Sequence, residues 1–262
     1  MHNTLHHCLS DHRPLIRKKV WFITGASRGL GLSLVKQLLV RGDQVAATTR
    51  CLQRILEQIH NDIPTALIRN FLPLQVDLTD ERAIEQAIAV THEAFGRIDV
   101  VVNNAGYAPE RSMEELGATD VHHCFAINTT AAMTVMHKVM PYLKQQRSGY
   151  ILNVSSISAC AAANDSCMYA ATKYAILGLS EIMKEEAYRS NISITVVAPA
   201  AFQSRLHARE YDMWENIRDS DHAATGFIHM AELRTPPPIL LIGDNHMTTH
   251  QKETDNELQF IR

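Results

Sequence analysis

The feature of this chain that most constrains its fold is a regular alternation of short apolar runs with longer amphipathic segments. Each apolar run is five to seven residues long, as is typical of strands buried on both faces. Repeated strand–helix units predict an α/β fold, a doubly wound parallel sheet of the Rossmann type with helices on both faces. Ligands bind beyond the carboxyl ends of such strands. The six main runs begin at Val20, Gln44, Leu72, Ile98, Tyr150 and Ile192.

The segments between the runs predict the helices. They cover residues 30–41, which end before Gly42, then 52–60, a stretch capped by Thr79 and reaching Glu93, 118–143 with a break, and 166–189. The pattern weakens over 204–238, where short helices are expected within 214–230 and a final strand over 239–243. We expect a loose polar tail after Asp244. One domain over 19–262 is predicted, behind a polar, His-rich extension over 1–18 to which no role is assigned.

Composition excludes several classes of partner. The net charge is −3, so no basic excess points to nucleic acid or to an anionic membrane surface. No apolar run reaches the roughly 18 residues of a membrane-spanning helix. Five scattered cysteines suggest free thiols in a reducing compartment, and hence a cytoplasmic protein. Two His/Cys groups, at residues 6–12 and 122–124, lack the paired spacing of zinc sites, so no metal is predicted.

A glycine-rich loop follows the first run, in the order Thr24-Gly25-Ala26-Ser27-Arg28-Gly29-Leu30-Gly31. Glycines let a backbone approach a pyrophosphate, and the N-terminus of the next helix stabilises its charge. The spacing is Gly-x-x-x-Gly-x-Gly, which differs from the dinucleotide fingerprint Gly-x-Gly-x-x-Gly. A tight structural turn is the alternative interpretation of the loop by itself.

The end of the second run bears on the choice of dinucleotide. NAD sites place an acidic residue there, whereas an arginine suits the 2′-phosphate of NADP. This chain has Thr48-Thr49-Arg50, and Arg28 lies in the glycine loop. Two guanidinium groups could hold a phosphate, which favours NADP(H) over NAD(H). Arg50 as a solvated loop charge is the alternative.

Two further groups follow the third and fourth runs. Asp77, beside Leu78, could accept a hydrogen bond from an adenine amino group, or could act as a turn or capping residue. Small residues over 103–106, namely Asn103, Asn104, Ala105 and Gly106, permit close backbone approach after the fourth run.

Tyr169 and Lys173 are the candidate chemical groups. Four residues apart on a helix, they share one face. A nearby ammonium is expected to lower the pKa of the tyrosine from its usual value of about 10, making it a usable general acid. Ser155 and Ser156 follow the fifth run, and either could polarise a carbonyl.

Taken in this order, the motifs resemble those of the short-chain dehydrogenase/reductase family, over about residues 19–201. The resemblance implies a catalytic tetrad of Asn128, Ser156, Tyr169 and Lys173, with Ser156 thirteen residues before Tyr169. One residue of ambiguity leaves Ser155 open. The cofactor contacts implied by the resemblance are Gly25, Ser27, Arg28, Gly29, Leu30, Gly31, Arg50, Asp77, Leu78, Asn104, Ala105, Gly106, Tyr169, Lys173 and Pro199.

The implied activity is hydride transfer between NADP(H) and a carbonyl or secondary alcohol of a small to medium, mostly apolar substrate, in a homodimer or homotetramer. By that resemblance Ser156 orients the substrate oxygen, Tyr169 donates the proton, Lys173 supports it and holds the ribose, and Asn128 holds a water. A catalytically silent dinucleotide-binding regulator or scaffold is the main alternative. A sugar-nucleotide epimerase or dehydratase fits the glycine spacing less well.

Two departures from the family pattern bear on the substrate. Ala200 follows Pro199 where the family has glycine, and residues 202–238 form a shorter, irregular substrate segment. We therefore expect an altered or open substrate pocket.

Overall fold

The fold is built on one sheet of eight strands. The computed structural model describes residues 18–109, 113–156, 167–199, 217–233, 236–237, 239–242 and 247–250. Strand order across the sheet is β3-β2-β1-β4-β5-β6-β7-β8. The strands are β1 Val20–Ile23, β2 Gln44–Thr49, β3 Phe71–Gln75, β4 Val100–Asn103, β5 Gly149–Val154, β6 Ile192–Pro199, β7 Ile239–Ile242 and β8 Met247–His250.

Strands β1 to β7 run parallel, which confirms the doubly wound, Rossmann-like fold predicted from the alternation. The chain steps outward from β1 to β3, and then returns to pair β4 with the other side of β1. The connections therefore change direction between β1 and β4, the place where such sheets open a crevice for ligands.

Eight helices cover this sheet in the described part of the chain. A π-helical turn, Ala126–Thr130, joins α5 to α6, so the long helix predicted over 118–143 is continuous but widened in its middle. Gly42, in the left-handed conformation at φ 84°, ends α1 as expected. The helices are α1 Gly29–Arg41, α2 Leu52–Asp62, α3 Thr65–Ile68, α4 Glu81–Phe95, α5 Ala118–Phe125, α6 Ala131–Gln146, α7 Cys167–Tyr188 and α8 Ile217–Met230.

The sheet separates two apolar cores. Helices α1, α2 and α8 pack on one face, around side chains such as Leu34 and Phe227. Helices α4, α6 and α7 pack on the other, around side chains such as Ile88 and Val139. Each fully buried aliphatic side chain contributes about 1.5–3 kcal/mol, so these cores hold the helices against the two faces of the sheet.

Four expectations about elements need correction. The N-cap of α4 is Asp80, whose carboxylate accepts from the backbone N–H groups of Arg82 and Ala83, while Thr79 donates to Asp77 instead. The short helices expected within 214–230 are one helix, α8. Residues after Asp244 include β8, which pairs antiparallel with β7. The short helix α3 was not foreseen.

Part of the predicted organisation lies outside the described residues. The extension over 1–18 is described only at Lys18, and the segment over 204–238 only from residue 217, with gaps. Within the described ranges, no helix combines the length and the apolar character needed to cross a bilayer.

Candidate active site

The glycine-rich loop lies between β1 and the start of α1. Gly25 and Gly29 have φ of +68° and +54°, a region that side chains disfavour. Arg28 is the N-cap of α1, its side chain makes no capping hydrogen bond, and the first turn holds no acidic residue. Leu30 is buried and anchors the turn, while Ser27 is half-buried and Arg28 is exposed. The loop thus presents backbone N–H groups and the positive end of a helix dipole, chemistry that fits a pyrophosphate.

A second loop, at the end of β4, interlocks with the first. Asn104 donates from its side-chain amide to the carbonyls of Thr24 and Gly25, at 2.9 and 3.0 Å. The backbone N–H groups of Asn104 and Ala105 both donate to the Thr24 hydroxyl, at 3.0 and 3.1 Å. A Cβ on Gly25 would lie 2.7 Å from the Cα of Ala105, and one on Gly31 would lie 2.6 Å from the Asn104 amide nitrogen. The two loops therefore form one closely packed joint that only glycine fits.

Arg50, Asp77 and Leu78 lie beyond the carboxyl ends of β2 and β3, next to that joint. Arg50 and Asp77 are exposed. The Asp77 carboxylate accepts from the Thr79 backbone N–H at 2.9 Å and from its hydroxyl at 2.7 Å. These bonds, the backbone one first, hold the pKa of Asp77 below its usual range, and the charge of Arg50 adds to the effect. Arg50 is therefore close enough to Asp77 for their charges to interact.

Asn128 lies inside the π-helical turn and is 2% exposed. Its side-chain amide holds Tyr107 at both backbone groups: the Tyr107 N–H donates to Oδ1, and Nδ2 donates to the Tyr107 carbonyl, both at 2.7 Å. Turns of this kind occur often at functional sites, because they widen the helix at one point. Here the widened turn meets the loop that follows Gly106.

Tyr169 and Lys173 project from α7 toward the same place. The Lys173 ammonium lies 5.4 Å from the centroid of the Tyr169 ring and donates to the Val154 carbonyl at 2.8 Å. A Cβ on Gly106 would lie 3.9 Å from both Lys173 Nζ and Asn128 Oδ1. The structure thus brings three of the predicted catalytic residues together at the carboxyl ends of β4 and β5.

The expectation that Lys173 lowers the pKa of Tyr169 was wrong for this structure. Burial raises the pKa of the Tyr169 phenol to about 12, and the Cys124 thiol adds to that rise. Burial also lowers the pKa of the Lys173 ammonium to about 8, partly offset by Cys124. Both groups lose hydration on burial, which disfavours the phenolate and the ammonium alike. Tyr169 therefore keeps its proton at neutral pH.

The two candidate serines differ in their surroundings. Ser155 is buried, its N–H donates to the Val197 carbonyl at 2.8 Å, and its hydroxyl lies 3.4 Å from the Lys173 carbonyl. Ser156 is half-buried at the end of the described stretch, since residues 157–166 are outside it. The backbone of Pro199, the last cofactor candidate, pairs with Ile242 of β7 at the end of β6.

Three residues near the site were missed by sequence reasoning. Thr172 and Cys124 are buried beside Asn128, and Tyr107 is held by it. A signal was present, because Cys124 lies one helical turn before Asn128, and Thr172 directly precedes Lys173. Among the described residues, no group of three or more His, Cys, Asp or Glu could hold a metal ion.

Comparisons with known proteins bear on the whole arrangement. A family model described as short chain dehydrogenase matches residues 19–214. Oxidoreductase BOA17 of Botryotinia fuckeliana is 38% identical over 186 residues, which are 71% of this chain and 66% of that protein. A 3alpha-hydroxysteroid dehydrogenase of Mediterraneibacter gnavus is 29% identical over 197 residues, covering 74% of this chain and 78% of the relative.

Solved structures of similar fold include ElxO with NADP bound. That structure has a TM-score of 0.76 and 25% identity, over 87% of this chain and 97% of ElxO. A short-chain dehydrogenase from Streptomyces avermitilis also has a TM-score of 0.76, at 23% identity, over 87% of this chain and 89% of its own.

Proposed function

The chain belongs to the short-chain dehydrogenase/reductase family, and on that premise we propose that it is an NADP(H)-dependent oxidoreductase. It interconverts the carbonyl and secondary-alcohol forms of a small to medium, mostly apolar substrate. The observation that carries the proposal is the convergence of Tyr169, Lys173 and Asn128 beside Gly106. A proton donor, an ammonium and a cofactor loop thereby meet at the edge of the sheet where ligands bind.

The interlocked loops and the strand ends around them would hold the dinucleotide. The first turn of α1 would receive the pyrophosphate, the exposed Arg28 and Arg50 would receive the 2′-phosphate, and Asp77 would accept from the adenine amino group. The arginines support NADP(H) because no carboxylate stands at residues 45–50, where an NAD site has one. The remaining contacts are Gly25, Ser27, Gly29, Leu30, Gly31, Leu78, Asn104, Ala105, Gly106, Tyr169, Lys173 and Pro199.

The nicotinamide, when bound, supplies or accepts the hydride. Tyr169, protonated at neutral pH, gives its proton to the substrate oxygen during reduction. Ser156 donates a hydrogen bond to that oxygen and orients it. This assignment is favoured because the Ser155 hydroxyl is directed to the Lys173 carbonyl. Lys173 would bind the nicotinamide ribose. Asn128, whose amide oxygen has a second lone pair, would hold the water that links Lys173 to solvent and through which the proton of Tyr169 is replaced.

Two relatives support the chemistry proposed here. ElxO binds NADP, which agrees with the arginine pair of this chain. The Mediterraneibacter gnavus relative is a hydroxysteroid dehydrogenase, an enzyme whose named substrate is an apolar secondary alcohol. These names favour a reductase of apolar ketones over a silent regulator. The proposed cytoplasmic location is supported only by the scattered cysteines of the sequence.

We further propose that the enzyme is a homodimer or homotetramer assembled through α7 and the neighbouring α6. The exposed face of α7 carries Tyr174, Ile182 and Tyr188, which are 56%, 76% and 81% exposed. Large apolar side chains exposed on the outer face of a helix are common at protein–protein interfaces.

The test compares Tyr169→Phe with the wild-type protein on a panel of apolar ketones and aldehydes. Losing the proton donor is expected to reduce kcat by about 10² to 10⁴-fold. Titration by nicotinamide fluorescence should show NADPH binding unchanged in the variant and tighter than NADH binding in both proteins. Tyr142→Phe, which removes the hydroxyl of a tyrosine on α6 whose ring lies 4.7 Å from that of His92, serves as the control.

Two results would contradict the proposal. Equal turnover by wild type and Tyr169→Phe would remove the assigned role of Tyr169. NADPH binding without turnover of any carbonyl in the panel would favour the silent regulator instead.

A further inference from the structure

Both donor hydrogens of the Asn128 side-chain amide are directed to other protein groups. Its two N–H bonds point to the Tyr107 carbonyl at 2.7 Å and the Thr172 hydroxyl at 2.9 Å, and its oxygen accepts from the Tyr107 N–H. A carboxamide has two donor hydrogens, so none is left to donate to a ligand. The side chain therefore joins the loop after Gly106 to α7.

Thr172 is the residue of α7 that accepts the hydrogen bond from Asn128. Its side chain is fully buried, and its hydroxyl accepts from Asn128 while donating to the Tyr169 carbonyl at 2.6 Å. Its own carbonyl accepts from the Thr129 hydroxyl at 3.2 Å. One residue is thus bonded to two consecutive residues of the π-helical turn, and it directly precedes Lys173.

The Cys124 thiol closes the same cluster from α5. It donates to the Tyr107 carbonyl at 3.4 Å, and its sulfur lies 3.4 Å from Asn128 Nδ2. Because a thiol is a weak hydrogen-bonding partner, it cannot replace the Thr172 hydroxyl as an acceptor for the amide. The bond from Asn128 to Thr172 is therefore the strong lateral contact of the cluster.

We propose that Thr172 is a positioning residue for the reaction proposed above, acting through Asn128, Tyr169 and Lys173. Its hydroxyl fixes the spacing between α7 and the π-helical turn, and so the place where the ammonium and the phenol meet the loop after Gly106. A methyl group of the same size would fill the space without making either bond. The proposal rests on the proposed function but names a residue outside the predicted tetrad.

The experiment compares Thr172→Val, which replaces the hydroxyl by a methyl group, with Thr172→Ser, which keeps it. Thr172→Val is expected to lower kcat by about 10- to 100-fold, as misplacement of reacting groups does, with little change in KM or in NADPH affinity. Thr172→Ser should restore most of kcat. Hydrogen exchange adds a readout without turnover: the Tyr107 N–H should exchange about tenfold faster in Thr172→Val.

Thr91→Val is the matched control. Thr91 is fully buried on α4 and donates to the Ala87 carbonyl at 2.7 Å, so this change removes a comparable hydroxyl away from the site. It should lower thermal stability while leaving kcat unchanged. Should Thr172→Val be too unstable to purify, Thr172→Ala gives the same comparison with no methyl group against the amide.

The outcomes separate this proposal from the proposed function. Wild-type kcat and unchanged Tyr107 exchange in Thr172→Val would overturn the positioning role, as would a Thr172→Ser variant no better than Thr172→Val. If the wild-type protein reduces no carbonyl at all, the proposed function fails. Tyr107 exchange then decides the question alone: faster exchange in Thr172→Val supports the positioning of Asn128, and unchanged exchange contradicts it.

Discussion

Lys173 shows how a single residue can weaken the fold that holds it. The side chain is 2% exposed, and its ammonium donates to the Val154 carbonyl at 2.8 Å. Burial lowers its pKa to about 8, which means that the ammonium is less stable, relative to the neutral amine, in the folded protein than in water. At neutral pH the folded protein therefore carries a charge that unfolding would relieve.

We expect Lys173→Met to raise the free energy of unfolding at pH 7 by about 1–3 kcal/mol while abolishing turnover. The difference from wild type should shrink between pH 8 and 10.5. In that window the unfolded chain still binds the proton that the folded protein has released, so wild-type stability rises with pH. Urea unfolding at several pH values measures the effect.

Lys138→Met is the control for that comparison. Lys138 lies at the surface against Glu81 and Glu85, and these partners raise its pKa. The Lys138→Met change is expected not to raise the free energy of unfolding. A Lys173→Met variant less stable than wild type at pH 7 would show that the bond to Val154 outweighs the loss of hydration.

At the scale of single elements, α4 depends on one capping residue. The Asp80 carboxylate accepts from two N–H groups of the first turn, at 2.8 and 3.3 Å. Asp80→Ala should lower the free energy of unfolding by about 1 kcal/mol, whereas Asp80→Asn should preserve most of it, because asparagine caps nearly as well. Chemical denaturation of the three proteins distinguishes them, and equal stability of wild type and Asp80→Ala would contradict the assignment.

The sequence was sufficient for the order of the six main strands and of the long helices between them, since buried runs and glycine turns are local signals. It was insufficient where two neighbouring residues could both cap a helix. Thr79 and Asp80 are both good N-cap residues, and Asp80 caps α4 because the Thr79 hydroxyl donates to Asp77 instead. The sequence also failed to predict β8. This edge strand pairs with β7 through backbone hydrogen bonds, which leave no apolar pattern in its side chains.

The candidate site followed a similar division. Residue spacing predicted that Tyr169 and Lys173 share one face of a helix, and the family resemblance added Asn128. The direction of the Tyr169 pKa shift could not, because it depends on how deeply α7 lies against β5, and that burial comes from packing over the whole core. The roles of the tetrad residues remain predictions.

At the scale of the whole molecule, the exposed apolar face of α7 bears on assembly. Ile182→Asp places a charge on that face and is expected to shift the protein from dimer or tetramer to monomer, because an unpaired charge in an interface is costly to bury. Sedimentation velocity measures the change. Val40→Asp, at a 62% exposed valine on α1 across the sheet, should leave the assembly intact.

A monomeric wild-type protein would contradict the assembly proposal directly. Equal dissociation by Val40→Asp would contradict the choice of face, because α1 packs on the opposite side of the sheet from α7.

The packed joint between the loops that follow β1 and β4 also limits where this chain can be recombined with that of a relative. Thr24 and Gly25 are separated from Asn104 and Ala105 by about eighty positions, yet each half is shaped to the other. We expect crossovers placed between residues 32 and 102 to produce chimeras that fold but lose the dinucleotide whenever the parents differ at these contacts. Crossovers after residue 107 keep both halves from one parent, so shuffling libraries should place their breakpoints there.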